Sequence, residues 1–185
     1  MSIGLWVRGA RPKTLATSIA SVMVGATMAY AHIEQSGTCI AIYPEPASCA
    51  TAREQQTLLM DRFWPVTILC LLVALFLQIA VNYANDYSDG IRGTDAGRDT
   101  DESKSGKPQR LTASGLVPAK HVLFAAMICA AIACICGVVA VVLAQAWWLL
   151  AVGAASLLAG WFYTGGKHPY GYVGLGEVGV FLFFG

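Results

Sequence analysis

Four long apolar blocks constrain this chain more than any other feature of its sequence. Each is 19 to 23 residues long and contains no Asp, Glu, Lys or Arg. A block of about 20 apolar residues is long enough to cross a bilayer as a helix, which satisfies its own backbone hydrogen bonds. The sequence therefore predicts an all-α fold, a polytopic transmembrane helix bundle. The blocks are Leu15 to Ile33, Phe63 to Val81, Val122 to Ala144 and Ala146 to Gly166.

A fifth apolar stretch, Val178 to Gly185, has only eight residues at the end of the sequence. Because so short a stretch cannot span a bilayer, we expect the sequence to be the front part of a longer protein. Residues 1–185 are then predicted to form a single transmembrane domain that is truncated at its C-terminus. Its spans are predicted at about 15–33, 63–89, 122–144, 146–166 and, incomplete, 173–185.

Basic residues are concentrated before the first block and between the second and third. By the positive-inside rule, this predicts a multi-pass protein of the plasma membrane whose N-terminus and whose loop after the second span are cytoplasmic. A cleaved signal peptide over residues 1–31 is the alternative for the first block, but Pro12 and Lys13 flank that block in a way that suits an anchored helix. Cys39 and Cys49 lie in the loop that we place outside, as a disulfide or as two free thiols.

Polar side chains cluster where the second block ends. Asn82, Asn85, Asp86 and Asp89 fall within roughly a 100° arc if the helix continues, and Gln78 lies one turn deeper on the same side. Amides and carboxylates at that depth are costly, so a functional site is the default interpretation. The sequence therefore predicts one oxygen-rich face at the end of the second span.

A mixed-charge loop follows this face, between Asp89 and Lys120. Mg²⁺ prefers one or two carboxylates together with phosphate oxygens, and nearby basic residues neutralise the remaining phosphate charge. This favours a magnesium-bridged phosphate group, with glycines such as Gly90 and Gly93 letting the backbone turn tightly. Asp95 reaches the same site only if the chain bends near one of these two glycines. A transporter with an acidic cation pathway is the alternative from a different class.

Several segments resemble one family of membrane enzymes. Asn85 to Asp89, followed by Gly93 to Asp95, is similar to the first aspartate-rich motif of the UbiA superfamily of intramembrane prenyltransferases. Three other segments resemble its 1,4-dihydroxy-2-naphthoate prenyltransferases of menaquinone synthesis. They are Arg11 to Leu15, Pro108 to Gly115 and Tyr163 to Glu177. Gly93 stands where many members of the superfamily have a third aspartate, a pattern that the menaquinone branch shares.

The resemblance implies a fold and a reaction. The fold is a nine-helix bundle with a second aspartate-rich motif in a later cytoplasmic loop, so residues 1–185 alone are expected to be inactive. The reaction is Mg²⁺-dependent transfer of a polyprenyl group from polyprenyl diphosphate to 1,4-dihydroxy-2-naphthoate, which loses its carboxylate and gives demethylmenaquinone. A 4-hydroxybenzoate or homogentisate acceptor is the alternative within the family. Membrane lipid is the expected environment, and no nucleic acid is expected as a partner.

The residues and the resemblance together suggest candidate site residues. Asp86, Asp89, Asn82 and Asn85 are predicted to be catalytic, and the predicted metal ligands are Asp86, Asp89, Asn85 and Asp95. Candidates for binding the diphosphate are Arg110, Arg92, Lys104 and Lys107, and positive-inside anchoring is the alternative for the last three. Candidates for contacting the acceptor or the prenyl chain are Tyr163, Tyr170, Tyr172 and Arg11, and membrane anchoring is the alternative for the tyrosines.

Overall fold

The computed structural model describes residues 3–37, 46–93, 110–164, 170–172, 174, 176–178 and 181. Within these ranges the regular elements are all helical, which confirms the predicted all-α class. They are α1 (Ile3–Gly9), α2 (Pro12–Ser36), α3 (Pro46–Arg92), α4 (Ala119–Ala144), α5 (Trp148–Thr164) and a 3₁₀ turn (Tyr170–Tyr172).

Three of these helices, α2, α3 and α4, are long and apolar enough to cross a membrane, whereas α5 is apolar but shorter. Large apolar side chains on their outer faces are exposed, for example Phe124 and Ile135 on α4. Hydrocarbon tails are as apolar as these side chains, so their exposure carries no hydrophobic penalty in a bilayer. The chain is therefore a multi-pass membrane protein, as predicted.

The α3 helix is much longer than the apolar block that it contains. It has 47 residues, which correspond to roughly 70 Å, against about 30 Å for a hydrocarbon core. Its first turns are polar, around Arg53 and Glu54, and precede the predicted span. Pro65 lies inside the helix and has no N–H to donate to the carbonyl of Asp61. Near the start of α3, Cys49 is disulfide-bonded, and Cys39 lies outside the described residues.

The elbow between α1 and α2 has a strained backbone. Arg11 adopts φ 54° and ψ 71°, in the left-handed region, and the residue before a proline ordinarily favours an extended conformation. Two hydrogen bonds support this geometry, because the carbonyl of Arg11 accepts from the backbone N–H and from the hydroxyl of Thr14, both at 2.9 Å. The elbow is thus held by local bonds at the point where α2 begins.

The main buried cluster of the described chain surrounds the end of α3. It is built where the elbow, the last turns of α3, the loop after Arg110 and the first turns of α4 meet. Its most buried members, Leu111 and Val122, have no exposed surface. The other members are Ala10, Tyr83, Val117 and Ala126. The packing is therefore tightest around the polar residues that the sequence singled out.

Candidate active site

The predicted polar face lies on the last turns of α3, but its members differ in burial. Asn82 is 4% exposed and Asp86 is 2% exposed, whereas Asn85 and Asp89 are half-buried. Because residues four apart lie above one another on a helix, the face divides into two rows. We call Asn82, Asp86 and the half-buried Gly90 the buried row, after its first two members, and Asn85 and Asp89, which are more exposed than those two, the open row.

The side chain of Asn82 connects α3 to the elbow between α1 and α2. Its Nδ2 donates to the carbonyl of Ala10 at 2.8 Å and to the hydroxyl of Thr14 at 3.0 Å. Its Oδ1 accepts from Nε2 of Gln78 at 3.4 Å. The next residue, Tyr83, adds a connection to α1, because the Tyr83 hydroxyl donates to the carbonyl of Trp6 at 2.8 Å. The catalytic role of Asn82 stays a prediction; the contacts seen here are to the protein itself.

Both oxygens of the Asp86 carboxylate accept hydrogen bonds from the loop that follows Arg110. The backbone N–H of Leu111 donates to Oδ2 and that of Thr112 donates to Oδ1, each at 2.9 Å. Hydrogen bonds to an ionised carboxylate are about twice as strong as bonds between neutral groups. Asp86 is therefore an anchor for this loop, whatever else it binds.

Gly90 allows the loop to approach α3 closely. A Cβ atom added at Gly90 would lie 2.4 Å from Cγ2 and 2.5 Å from Cβ of Thr112. The prediction that Gly90 provides a tight turn is wrong, because Gly90 remains helical and its missing side chain makes room for Thr112. The chain leaves the helix only after Arg92, at Gly93, whose φ is 70°.

The buried row thereby holds two chain segments that each carry an arginine. Arg11 directly follows Ala10, which is bound by Asn82, and Arg110 directly precedes Leu111, which is bound by Asp86. Both arginines are half-buried. Nη2 of Arg11 is buried and has no hydrogen-bond partner among the described residues. Guanidinium groups bind carboxylate and phosphate oxygens well, so the arrangement suits an anionic ligand.

The other candidates lie elsewhere. Arg92 is exposed at the end of α3, while Asp95, Lys104 and Lys107 lie outside the described residues. Tyr163 and Tyr170 pack edge to face with ring centroids 5.4 Å apart. The Tyr170 hydroxyl donates to the carbonyl of Ala159 at 3.0 Å. These contacts attach the 3₁₀ turn, which also includes Tyr172, to α5; the substrate roles of the three tyrosines stay predictions.

The oxygen donors of the open row fit Mg²⁺. Across the described ranges, no group of three or more His, Cys, Asp or Glu residues could hold a metal ion by itself. Mg²⁺ does not require such a group, since it is commonly bound by one or two carboxylates with substrate phosphates and waters. Asp89 supplies a carboxylate and Asn85 an amide oxygen one turn away. Both oxygens of Asp86 accept a backbone hydrogen bond each.

Comparison with known proteins identifies the family. Residues 57–185 match the UbiA prenyltransferase family. The chain belongs to this family. The predicted resemblance is thus confirmed, and the two rows described above lie in a UbiA prenyltransferase domain.

Curated relatives of the chain carry the name of one enzyme within this family. The chain is 42% identical over 184 residues to a 1,4-dihydroxy-2-naphthoate octaprenyltransferase of Mycobacterium tuberculosis, covering 100% of this chain and 51% of the relative. It is 30% identical over 191 residues to the enzyme of that name from Escherichia coli, covering 97% and 49%. A Bacillus subtilis protein of the same name is 36% identical over 104 residues, covering 56% and 31%. The chain spans about half the length of the first curated relatives it matches. No solved structure matches it.

Two residues of this UbiA site were missed from the sequence. Thr14 accepts a hydrogen bond from Asn82 while it donates to the carbonyl of Arg11. The side chain of Thr112 packs against α3 at Gly90. Both lie in segments that already resembled the family, Arg11 to Leu15 and Pro108 to Gly115. Their position in these family-like segments could therefore have marked the two threonines as candidates, although it would not have shown which residues they contact.

Proposed function

We propose that this chain carries the first part of the active site of a 1,4-dihydroxy-2-naphthoate polyprenyltransferase. The full-length enzyme transfers a polyprenyl group from polyprenyl diphosphate to 1,4-dihydroxy-2-naphthoate. The acceptor loses its carboxylate, and the product is demethylmenaquinone in its quinol form. The names of the curated relatives, which match nearly the whole chain, support this choice of donor and acceptor.

One observation in the structure carries the proposal. The polar face of α3 is enclosed by two separate segments that each bring an arginine, Arg11 and Arg110, to the same end of the helix. Carboxylate and amide oxygens beside guanidinium groups match the needs of a diphosphate with its counter-ion. A cation pathway has no use for half-buried arginines in the segments that pack on its aspartate-bearing face, so the enzyme is favoured over the transporter.

The residues suggest how the reaction is promoted. When Mg²⁺ is bound, it neutralises charge that develops on the leaving diphosphate. Asp89 and Asn85 are the proposed holders of the ion, with Asp86 and Asp95 as further candidates. Arg110 is the proposed main contact of the diphosphate, with Arg92, Lys104 and Lys107 as additional ones. Stabilising the departing diphosphate promotes cleavage of the allylic C–O bond, whose electron pair leaves with the diphosphate.

The acceptor completes the reaction at the prenyl carbon. A new C–C bond forms between that carbon and the naphthalene ring, and the carboxylate departs as CO₂. Arg11, Tyr163, Tyr170 and Tyr172 are the proposed contacts of the acceptor or of the prenyl chain. An apolar intramembrane chamber excludes water that would otherwise capture the electron-deficient carbon. We place the aspartate motif and the N-terminus on the cytoplasmic side, as the distribution of basic residues favours.

The test is a transfer assay with the full-length protein in membranes. We expect labelled polyprenyl diphosphate and 1,4-dihydroxy-2-naphthoate to give a product of the mass of demethylmenaquinol, and chelation of Mg²⁺ to abolish its formation. Transfer to 4-hydroxybenzoate or homogentisate alone would replace the acceptor assignment. Cation flux into liposomes without any prenyl transfer would overturn the enzyme proposal. We expect no turnover from residues 1–185 alone.

A further inference from the structure

We propose that a cavity between α2 and α3, at the end of these helices away from the aspartate motif, binds one anionic phospholipid. An acyl chain of the lipid enters the cavity, and Arg62 at the mouth of the cavity binds the phosphate. The lipid is neither substrate nor product of the proposed reaction. The inference therefore stands apart from the proposed function, and its test needs no catalysis.

The shape of the cavity is the first argument. Its volume is about 460 Å³, and its lining is almost entirely apolar. The lining on the α2 side includes the small residues Gly25, Ala26 and Ala29. Small residues usually let membrane helices pack closely, but a Cβ atom added at Gly25 would meet nothing within 4 Å. Gly25 and Ala29 are exposed, so the cavity is open to its surroundings. An apolar cavity offers water no hydrogen-bond partners, so a hydrocarbon chain is the matching occupant.

The level of the cavity in the membrane is the second argument. Three of its lining residues stand at the boundaries of apolar blocks: Ile33 ends the first block, Phe63 begins the second and Ala144 ends the third. The mouth of the cavity therefore lies where the hydrocarbon layer meets the headgroups. From Arg62 the lining continues to Cys70, about 12 Å along α3 and into the hydrocarbon layer. The cavity thus has the orientation of a lipid whose headgroup stays at the membrane surface.

Arg62 supplies the third argument, because it is the one charged side chain among the described residues that line the cavity. Its Nη1 donates to the carbonyl of Leu143 at 3.3 Å, next to the last residue of α4. This is its one hydrogen bond within the described ranges, and it keeps the guanidinium at the mouth of the cavity. The planar fork of N–H donors of a guanidinium matches the oxygens of a phosphate. A phospholipid carries its phosphate just above its acyl chains, so one molecule satisfies both the cavity and Arg62.

The residues around Arg62 favour an anionic headgroup at this level. Trp64 is exposed, as are Trp147 and Trp148 where α4 passes into α5, and tryptophan side chains are enriched at the level of the headgroups. The acidic neighbour Asp61 lies about 100° around α3 from Arg62 and is not part of the lining. A basic side chain near the membrane surface favours an anionic lipid roughly fivefold. The charge of Arg62 therefore selects the lipid, whereas the cavity holds its chain.

Native mass spectrometry of the full-length protein in detergent tests the headgroup contact. We expect one phosphatidylglycerol per chain, bound roughly fivefold more tightly than phosphatidylcholine with the same acyl chains. Arg62→Gln removes the charge but keeps an N–H donor for the carbonyl of Leu143. It should weaken phosphatidylglycerol binding about fivefold and abolish the preference over phosphatidylcholine. Arg53→Gln is the matched control, because Arg53 is an exposed arginine of the same helix outside the lining, and it should leave binding unchanged.

A second pair of variants tests the contact of the acyl chain. Gly25→Leu places a side chain in the cavity and leaves Arg62 intact. We expect it to weaken phosphatidylglycerol binding roughly tenfold, because the acyl chain and the new side chain compete for one space. Gly153→Leu is the control, since Gly153 also has open space around it but lies on α5, outside the lining, and it should bind as the wild type does. Circular dichroism checks folding, and Ala29→Val replaces Gly25→Leu if that variant does not fold.

Four results would overturn the proposal. No discrete lipid on the wild type would mean that another part of the full-length protein covers the cavity. Equal weakening by Arg62→Gln and Arg53→Gln would reduce the effect to non-specific attraction. Unchanged binding in the cavity-filling variant would place the acyl chain elsewhere. One-for-one displacement of phosphatidylglycerol by polyprenyl diphosphate would assign the cavity to the prenyl chain. Absence of prenyl transfer by the wild type would instead reject the proposed function and leave the lipid result intact.

Discussion

The antiparallel pair of α2 and α3 is held very differently at its two ends. At the end that we call the motif end, Asn82 binds the elbow through Ala10 and Thr14 with side-chain hydrogen bonds that are partly or fully buried. At the opposite end, which we call the cavity end, an apolar cavity of about 460 Å³ separates the helices. Its lining includes Val22, Gly25, Phe63, Val66, Thr67 and Cys70.

The cavity end has weaker and more exposed connections. Tyr30 and Phe63 pack edge to face with centroids 5.4 Å apart, and an exposed bond joins Nε2 of Gln56 to the carbonyl of Glu34 at 3.0 Å. The contrast between the two ends follows from the lipid that surrounds the helices. Hydrocarbon provides no hydrophobic drive for two helices to associate, so close packing and polar bonds decide where they stay together. Geometry is therefore enforced at the motif end, where the proposed chemistry takes place.

The largest expected effect is on the open row at the motif end. Asp89→Ala in the full-length protein should lower prenyl transfer by roughly 100-fold or more, because it removes the carboxylate proposed to hold the Mg²⁺ that neutralises the leaving diphosphate. Thr67→Val at the cavity end is the matched control and should stay within about twofold, as expected for a site away from the chemistry. Initial rates with saturating Mg²⁺ measure both. Normal activity of Asp89→Ala would contradict the proposed functional difference between the two ends.

The second largest effect is expected from two substitutions of Arg11 at the elbow, which separate the loss of charge from the relief of backbone strain. Arg11→Ala and Arg11→Gly both remove the guanidinium and should lower kcat/KM by similar amounts, roughly tenfold, if it binds an anionic ligand group. The free energy of unfolding of Arg11→Gly should nevertheless be about 1 kcal/mol higher than that of Arg11→Ala, because glycine accepts φ 54° without strain. Transfer kinetics and denaturant unfolding in detergent measure the two quantities. Equal stability of the two variants would show that the elbow relaxes.

A smaller effect is expected on stability from the hydrogen bonds of α3. Asn82→Ala leaves the carbonyl of Ala10 without its donor and should lower the free energy of unfolding by about 1–3 kcal/mol. Gln56→Ala removes an exposed bond at the cavity end and should change it by less than about 0.5 kcal/mol. Unfolding of the solubilised protein, followed by circular dichroism, compares the pair. Similar values for the two variants would contradict the difference between the ends.

The smallest effect is predicted at Gly25. An added Cβ there would meet nothing within 4 Å, so Gly25→Ala should leave transfer unchanged. It should also raise the free energy of unfolding by up to about 1 kcal/mol, because alanine favours the helix. Gly90→Ala, its counterpart at the motif end, should lower stability, since its Cβ collides with Thr112. Thermal unfolding of both variants checks the opposite signs.

The sequence by itself determined the all-α, multi-pass membrane class and predicted the polar face. Uncharged blocks of 19 to 23 residues leave helices as the available solution in a bilayer. The period of 3.6 residues then places Asn82, Asn85, Asp86 and Asp89 on one side of α3. These conclusions depend on local chemistry alone. They were therefore accessible before any contact was known.

Only the tertiary structure divided that face into a buried row and an open row. The partners of the buried row come from far along the chain: Ala10 lies 72 residues from Asn82, and Leu111 lies 25 residues from Asp86. The same distance in sequence hid the function of Gly90, which is read from its contact with Thr112. Chemically equivalent carboxylates, Asp86 and Asp89, thus receive different surroundings because of what packs against each side of the helix, and helical periodicity contains no information about that.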